Sequence, residues 1–272
     1  MSLEGGFAQI DWNGRPVRLE YRLIAPHRKE RHLLVFLHEG LGSVAMWKDF
    51  PQRLCDAAGC RALVYSRPGY GRSTPRAPGE AWDVDFMHRQ AFEVLPALFD
   101  ALGIGAGGER PWLFGHSDGG SIALLFAARF PERVAGAVVL APHILVEDLS
   151  IDSIRQARDA YRETDLPERL GRYHDDPDSA FWGWNDIWLH PEFRAWSIEC
   201  ELESLRCPLL AVQGREDEYG TLEQIEGIRR RLPHAELLVL ENCRHSPHRD
   251  QPDALIQAAA SFMARHDRGR EA

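Results

Sequence analysis

The sequence predicts an α/β fold, a mostly parallel sheet flanked by helices, with an inserted helical segment. Three observations carry this. Short apolar runs alternate with helix-period segments along most of the 272 residues, the rhythm of parallel strands joined by crossover helices. One stretch, Leu145 to Leu205, breaks that rhythm. A serine between glycines, Gly115-His116-Ser117-Asp118-Gly119-Gly120, sits where a strand hands over to a helix.

The elements follow in order. Phe7 to Asp11 and Val17 to Leu23 are closely spaced and partly polar, with Asn13-Gly14 between them, which predicts an antiparallel hairpin at the sheet edge. Leu33–Leu37, Ala62–Ser66, Trp112–Gly115, Val134–Leu140, Pro208–Gln213 and Glu236–Leu240 read as buried strands. Val44–Ala58, Asp85–Leu102, Gly119–Phe130, Leu222–Leu232 and Pro252–His266 carry the 3.6-residue period of amphipathic helices. Between Leu145 and Leu205 there is no convincing buried strand. Its first half, Ile151 to Glu163, reads as helix, and its second half is aromatic: Phe181, Trp182, Trp184, Trp188, Phe193 and Trp196. We expect residues 1–144 and 206–272 to form the core and 145–205 a helical cap.

Composition removes several function classes. The 41 acidic residues exceed the 32 basic ones, for a net charge of −9, which opposes a nucleic-acid surface. No apolar run approaches the ~18 residues of a membrane span. The start, Met1-Ser2-Leu3-Glu4-Gly5-Gly6, lacks the basic and apolar regions of a signal peptide, so a cytoplasmic location is expected. The five cysteines are odd in number and scattered without a C-x-x-C, which predicts reduced thiols. Gly69 and Gly71 lack the third glycine and the βαβ setting of a dinucleotide site. We expect no cofactor and no metal. The expected partner is a small-molecule substrate, and association with further copies of the chain is left open.

The glycine-flanked serine is the pattern of a nucleophile elbow, in which side chains at Gly115 and Gly119 would collide and Ser117 is held out to solvent. A serine hydroxyl needs a base, and the base needs an orienting acid. Asp217 lies just past the strand that ends at Gln213, with Glu216 and Glu218 as rivals. His245 lies in the loop after Leu240. His248 also lies there and is assigned to packing, since Pro247 opposes a regular His-x-x-His metal helix. An oxyanion intermediate needs preset N–H donors. Asp118 is one, at a helix N-terminus; Gly40, with Leu41 as rival, is the other, from His38-Glu39-Gly40-Leu41-Gly42-Ser43. His38 and His143 are either pocket residues or structural ones.

With these residues in view, the chain resembles the α/β-hydrolase fold family. The resemblance rests on His38 to Ser43, Ser66-Arg67-Pro68-Gly69-Tyr70-Gly71-Arg72-Ser73, Gly115 to Gly119, Gly214-Arg215-Glu216-Asp217 and Cys243-Arg244-His245. It implies an eight-stranded sheet, a Ser117–Asp217–His245 triad and a cap after the sixth strand. One residue departs from the pattern: Glu39 stands where relatives usually have glycine. A structural role is expected for it, turned away onto nearby backbone; facing the pocket, it would disfavour anionic substrates.

A serine at the elbow excludes the aspartate-nucleophile branches of the family and points to acyl transfer to water. The aromatic segment suggests an apolar or aromatic substrate of small to medium size, with Glu39, His143, Trp182, Trp184 and Trp188 as candidate contacts. Arg67, Arg194 and Arg244 are the basic residues that an anionic substrate would need. We therefore expect a serine esterase or thioesterase first and a C–C bond hydrolase of ring-fission products second. A non-catalytic receptor on the same fold is the reading of another class.

Overall fold

The computed structural model describes residues 4–29 and 32–267; the ends of the two expected core spans, 1–3 and 268–272, lie outside them. Eight strands form one sheet: β1 (Gly5–Trp12), β2 (Arg15–Ile24), β3 (Leu33–Leu37), β4 (Arg61–Tyr65), β5 (Trp112–His116), β6 (Gly136–Leu140), β7 (Leu209–Gly214) and β8 (Glu236–Leu240). Their spatial order is β1-β2-β4-β3-β5-β6-β7-β8. The first two form an antiparallel hairpin closed by Asn13 and Gly14, both at positive φ, and β2 runs antiparallel to β4. All pairings from β4 to β8 are parallel.

Alternation along each buried strand fills two cores. In β3, Leu33, Val35 and Leu37 pack on one face, with the helix Asp118–Arg129; Leu34 and Phe36 pack on the other, with Trp47, Phe50 and the C-terminal helix Pro252–Asp267. The helix Asp118–Arg129 is buried along nearly its whole length.

Two expected helices are interrupted. Lys48 at φ 52° separates a short turn, Val44–Trp47, from the helix Phe50–Ala58. The Asp85–Leu102 helix contains a π-helical turn at Gln90–Val94. Pro96 explains it: the proline donates no N–H and its ring crowds the carbonyl four residues back, so the ladder shifts register.

Between β6 and β7 the chain forms the helices Asp148–Glu163, Leu166–Leu170, Pro177–Trp188 and Glu199–Leu202. Its extended pairing is one isolated bridge between Leu145 and Ser197. Among the described residues no helix is long and apolar enough to cross a membrane.

The parallel strands bring the ends of β3, β5, β7 and β8 to one edge of the sheet. At that edge a β-carbon on Gly115 would lie 2.2 Å from the Gly119 carbonyl oxygen, and one on Gly119 would lie 2.1 Å from that of Leu37. Both obstacles are backbone, so neither can step aside. Gly119→Ala should therefore destabilise the protein by about 1–3 kcal/mol or more, read as a lower urea midpoint. An unchanged midpoint would show that the elbow is not packed this closely.

Candidate active site

Ser117 occupies the turn between β5 and the helix Asp118–Arg129, with φ 52° and ψ −121°. A non-glycine residue rarely adopts such a backbone. The turn is held by its own amide, which donates to the Leu140 carbonyl at 2.8 Å, while the Ser117 carbonyl accepts from Gly120 at 2.8 Å. Two other loops reach it. The loop after β7 is tied to the loop after β8 through Arg215 N–H to Leu240 O and Glu216 N–H to Cys243 O.

These ties bring three side chains into line. Ser117 Oγ lies 3.0 Å from His245 Nε2. His245 Nδ1 lies 2.8 and 3.0 Å from the two oxygens of Asp217. Asp217 also accepts from the Tyr219 amide, from the Gly220 amide and from Gln213 Nε2. A carboxylate with this many donors is ionised, so Nδ1 carries a proton and Nε2 is free to accept from Ser117. Burial would raise the Asp217 carboxyl, but the charge and hydrogen bond of His245 hold it below its ordinary range. Burial likewise pulls the His245 imidazole down, and Asp217 overrides it, leaving the ring above 6.5. Glu216 is exposed and takes no part. Glu218 accepts from the His245 backbone N–H at 3.1 Å and so holds that residue from behind. His248 packs against Trp47 and Phe50.

The loop after β3 lies across from Ser117. A β-carbon on Gly40 would meet the Trp184 indole at 2.2 Å, so only glycine lets the loop sit under that ring. The amides of Gly40 and Asp118 have no protein acceptor among the described residues. His38 is structural: its Nε2 accepts the Arg67 amide at 3.0 Å and its Nδ1 donates to the Glu39 carbonyl at 2.7 Å. Burial, then the Arg67 charge, keeps it neutral.

A cavity of about 160 Å³ opens beside Ser117, lined by Gly40, Leu41, His143, Trp184, Trp188, His245 and others. Trp184 and Trp188, four residues apart on one helix, share a face. Trp182 does not reach it; it sits on the far side of that helix, against Tyr161 and Phe181. This corrects its expected role, because helix phase separates residues two apart. His143 lines the cavity with its Nδ1 unpartnered; burial and then the nearby His245 push it down to about 3.

Glu39 is not turned onto backbone as expected. Its carboxylate lies 3.4 Å from His116 Nδ1 and 3.6 Å from Arg249 and lines the cavity. Burial, the largest single effect, opposes its ionisation, but the hydrogen bond and charge of His116 together with the charges of His248 and Arg249 outweigh it, holding the carboxyl well below its ordinary range. Arg67, Arg194 and Arg244 do not line the cavity. Arg67 is buried behind it, Arg194 pairs with Asp148, and Arg244 lies beside Glu218. The lining arginine is Arg249, which the sequence reading missed. His116 was missed too, although it sits inside the elbow motif: its Nε2 donates to the His245 carbonyl at 2.7 Å.

The model of the alpha/beta hydrolase family matches residues 34–258. The chain belongs to the alpha/beta hydrolase family. It is 24% identical to the 2-hydroxy-6-oxo-6-phenylhexa-2,4-dienoate hydrolase of Burkholderia cepacia, over 85% of this chain and 87% of that one. It is 23% identical to the 2-hydroxy-6-oxononadienedioate/2-hydroxy-6-oxononatrienedioate hydrolase of Comamonas testosteroni, over 86% and 88%. Among solved structures it resembles that of a carboxylesterase from the thaumarchaeon Nitrososphaera gargenis, with a TM-score of 0.76 and 17% identity, covering 96% of this chain and 99% of that one. This last likeness speaks to the hydrolase fold alone.

The opposed effects on His245 can be separated by NMR. Its imidazole should titrate above 6.5 in the native protein. Asp217→Asn removes the strongest raising partner and leaves burial opposed only by the weaker pull of Glu218 and Glu39, so the titration should fall relative to the native protein. A midpoint unchanged by that substitution would mean that Asp217 does not govern the base.

Proposed function

We propose that this hydrolase attacks a substrate carbonyl with Ser117, forms an acyl-enzyme and releases it to water. The observation that carries this reading is the continuous chain Asp217–His245–Ser117 at hydrogen-bond distances; the amides of Gly40 and Asp118, which have no protein acceptor among the described residues, are the oxyanion donors it would use. In the first step Ser117 Oγ bonds to the carbonyl carbon and His245 Nε2 takes its proton. Asp217 holds the resulting imidazolium. The carbonyl oxygen becomes an anion, and the two amides stabilise it. His245 then protonates the departing group, and later activates the water that cleaves the acyl-enzyme. The helices of residues 145–205, through Ile154, Trp184 and Trp188, act as a cap over the acyl site.

For the bond that breaks, the relatives favour carbon–carbon cleavage beside a ketone. Both curated relatives are named for keto-dienoate or keto-trienoate substrates and align over most of their length. Such a bond can break once the 2-hydroxy-dienoate has taken its 2-oxo form by moving its hydroxyl proton to the carbon that will leave, because the electron pair on that carbon is then conjugated into the enone and the group departs as a dienolate. Arg249 at the cavity is the cationic contact that a dienoate carboxylate would use. This reverses the order expected from sequence, where ester cleavage came first.

Ester hydrolysis stands as the second reading on one observation: Glu39 places an anionic carboxylate in the same small cavity. That charge disfavours an anionic substrate and leaves a neutral ester unaffected.

Two assays on one preparation decide between them. Loss of the absorbance of 2-hydroxy-6-oxo-6-phenylhexa-2,4-dienoate reports the first reading, and p-nitrophenyl butyrate the second. We expect kcat/KM to be larger for the dienoate. Ser117→Ala and His245→Ala should each lower turnover of either compound by about 10⁴-fold or more, while His248→Ala costs far less. Turnover of the ester alone would favour the second reading. No turnover of either would favour a receptor.

A further inference from the structure

Arg67 is 1% exposed, and so is the side chain of its ionic partner Asp118. A buried ion pair is a weak source of stability, because taking both charges out of water costs about what their attraction returns. Its contacts say what else it does. One terminal nitrogen, Nη2, donates to the Glu39 carbonyl at 2.9 Å and lies 3.5 Å from the Asp118 carboxylate. The ring of Tyr70 lies 4.8 Å from the guanidinium carbon.

Both contacts belong to the two proposed oxyanion donors. The Glu39 carbonyl shares a planar peptide with the Gly40 amide, and in a trans peptide the two point in opposite directions. Holding the carbonyl from behind therefore aims the Gly40 N–H forward. His38 Nδ1 holds the same carbonyl, and the Arg67 amide in turn fixes His38 through Nε2. Asp118 supplies the second donor from its own backbone. Its carboxylate is held between Arg67 and Trp188 Nε1, which restrains the first residue of the helix.

We propose that Arg67 is a positioning residue that locks the Gly40 and Asp118 amides onto one point, where the oxyanion forms. The proposal rests on the reading of Ser117 as nucleophile. Arg67 touches neither substrate nor Ser117 and acts through the two peptides it holds. The rigid guanidinium plane fixes the direction of the one nitrogen that meets both acceptors; a lysine ammonium, a point charge on a flexible stem, fixes it less.

The test uses an aryl trifluoromethyl ketone. Ser117 Oγ adds to its carbonyl carbon, the proton passes to His245 Nε2, and the carbonyl oxygen becomes an anion in the proposed site. In Arg67→Gln, kcat on p-nitrophenyl butyrate should fall about ten- to a hundredfold, less than the 10²–10³ lost when a donor is deleted outright. KM should change little, and the Ki of the ketone should weaken by the same factor as kcat. Arg67→Lys should lie between wild type and Arg67→Gln, and it carries the test alone if Arg67→Gln does not fold. A folded variant with wild-type kcat and Ki overturns the proposal, as does a fall in kcat with unchanged Ki. A wild type that does not bind the ketone overturns the nucleophile reading, and this inference with it.

Discussion

The backbone of Ser117 is the constraint on which the site depends. A serine at φ 52° is strained, and it persists because the surroundings leave no alternative. Gly115, Gly119 and the end of β3 approach so closely that no side chain fits between them. The Leu140 carbonyl takes the serine amide, and the helix behind is buried on all sides. The strain is thus maintained by the core. The hydroxyl projects from the sheet edge at the one place where loops from β3, β7 and β8 converge.

Around that hydroxyl, charge is arranged in two layers. The inner layer is Asp217 and His245, where each partner offsets the other's burial. The outer layer consists of groups that hold backbone. His116 holds the carbonyl of His245 and Glu218 holds its amide. His174, reaching in from the segment between β6 and β7, bonds the Gly71 amide with Nδ1 and the Leu41 carbonyl with Nε2. It thereby ties that segment to the loop after β3. Glu39 connects the layers, since its carboxylate meets His116 on one side and the cavity on the other.

Much of this was legible in the sequence, because short-range rules govern it. Strand runs were set by apolar period, and the three side chains that line up, Ser117, His245 and Asp217, by their positions after strand ends. The misses share a different cause. Trp182 was grouped with Trp184 and Trp188 because composition ignores helix phase. Both helix interruptions had a signal that the apolar period hides: Pro51, tolerated only in the first turn of the helix that starts at Phe50, and Pro96 beside the Gln90–Val94 turn. Arg249 and His116 owe their roles to partners far along the chain, the His245 carbonyl lying 129 residues from His116. Glu39 was noticed as a departure, but its direction depended on a histidine that spacing alone does not bring near.

The central claim is that one serine, activated by one histidine, forms the covalent bond. Treating the protein with a fluorophosphonate and mapping the adduct by peptide mass spectrometry tests it most directly. The account predicts a single adduct on Ser117, formed far more slowly in His245→Ala. An adduct on another residue, or a rate indifferent to His245, would contradict it.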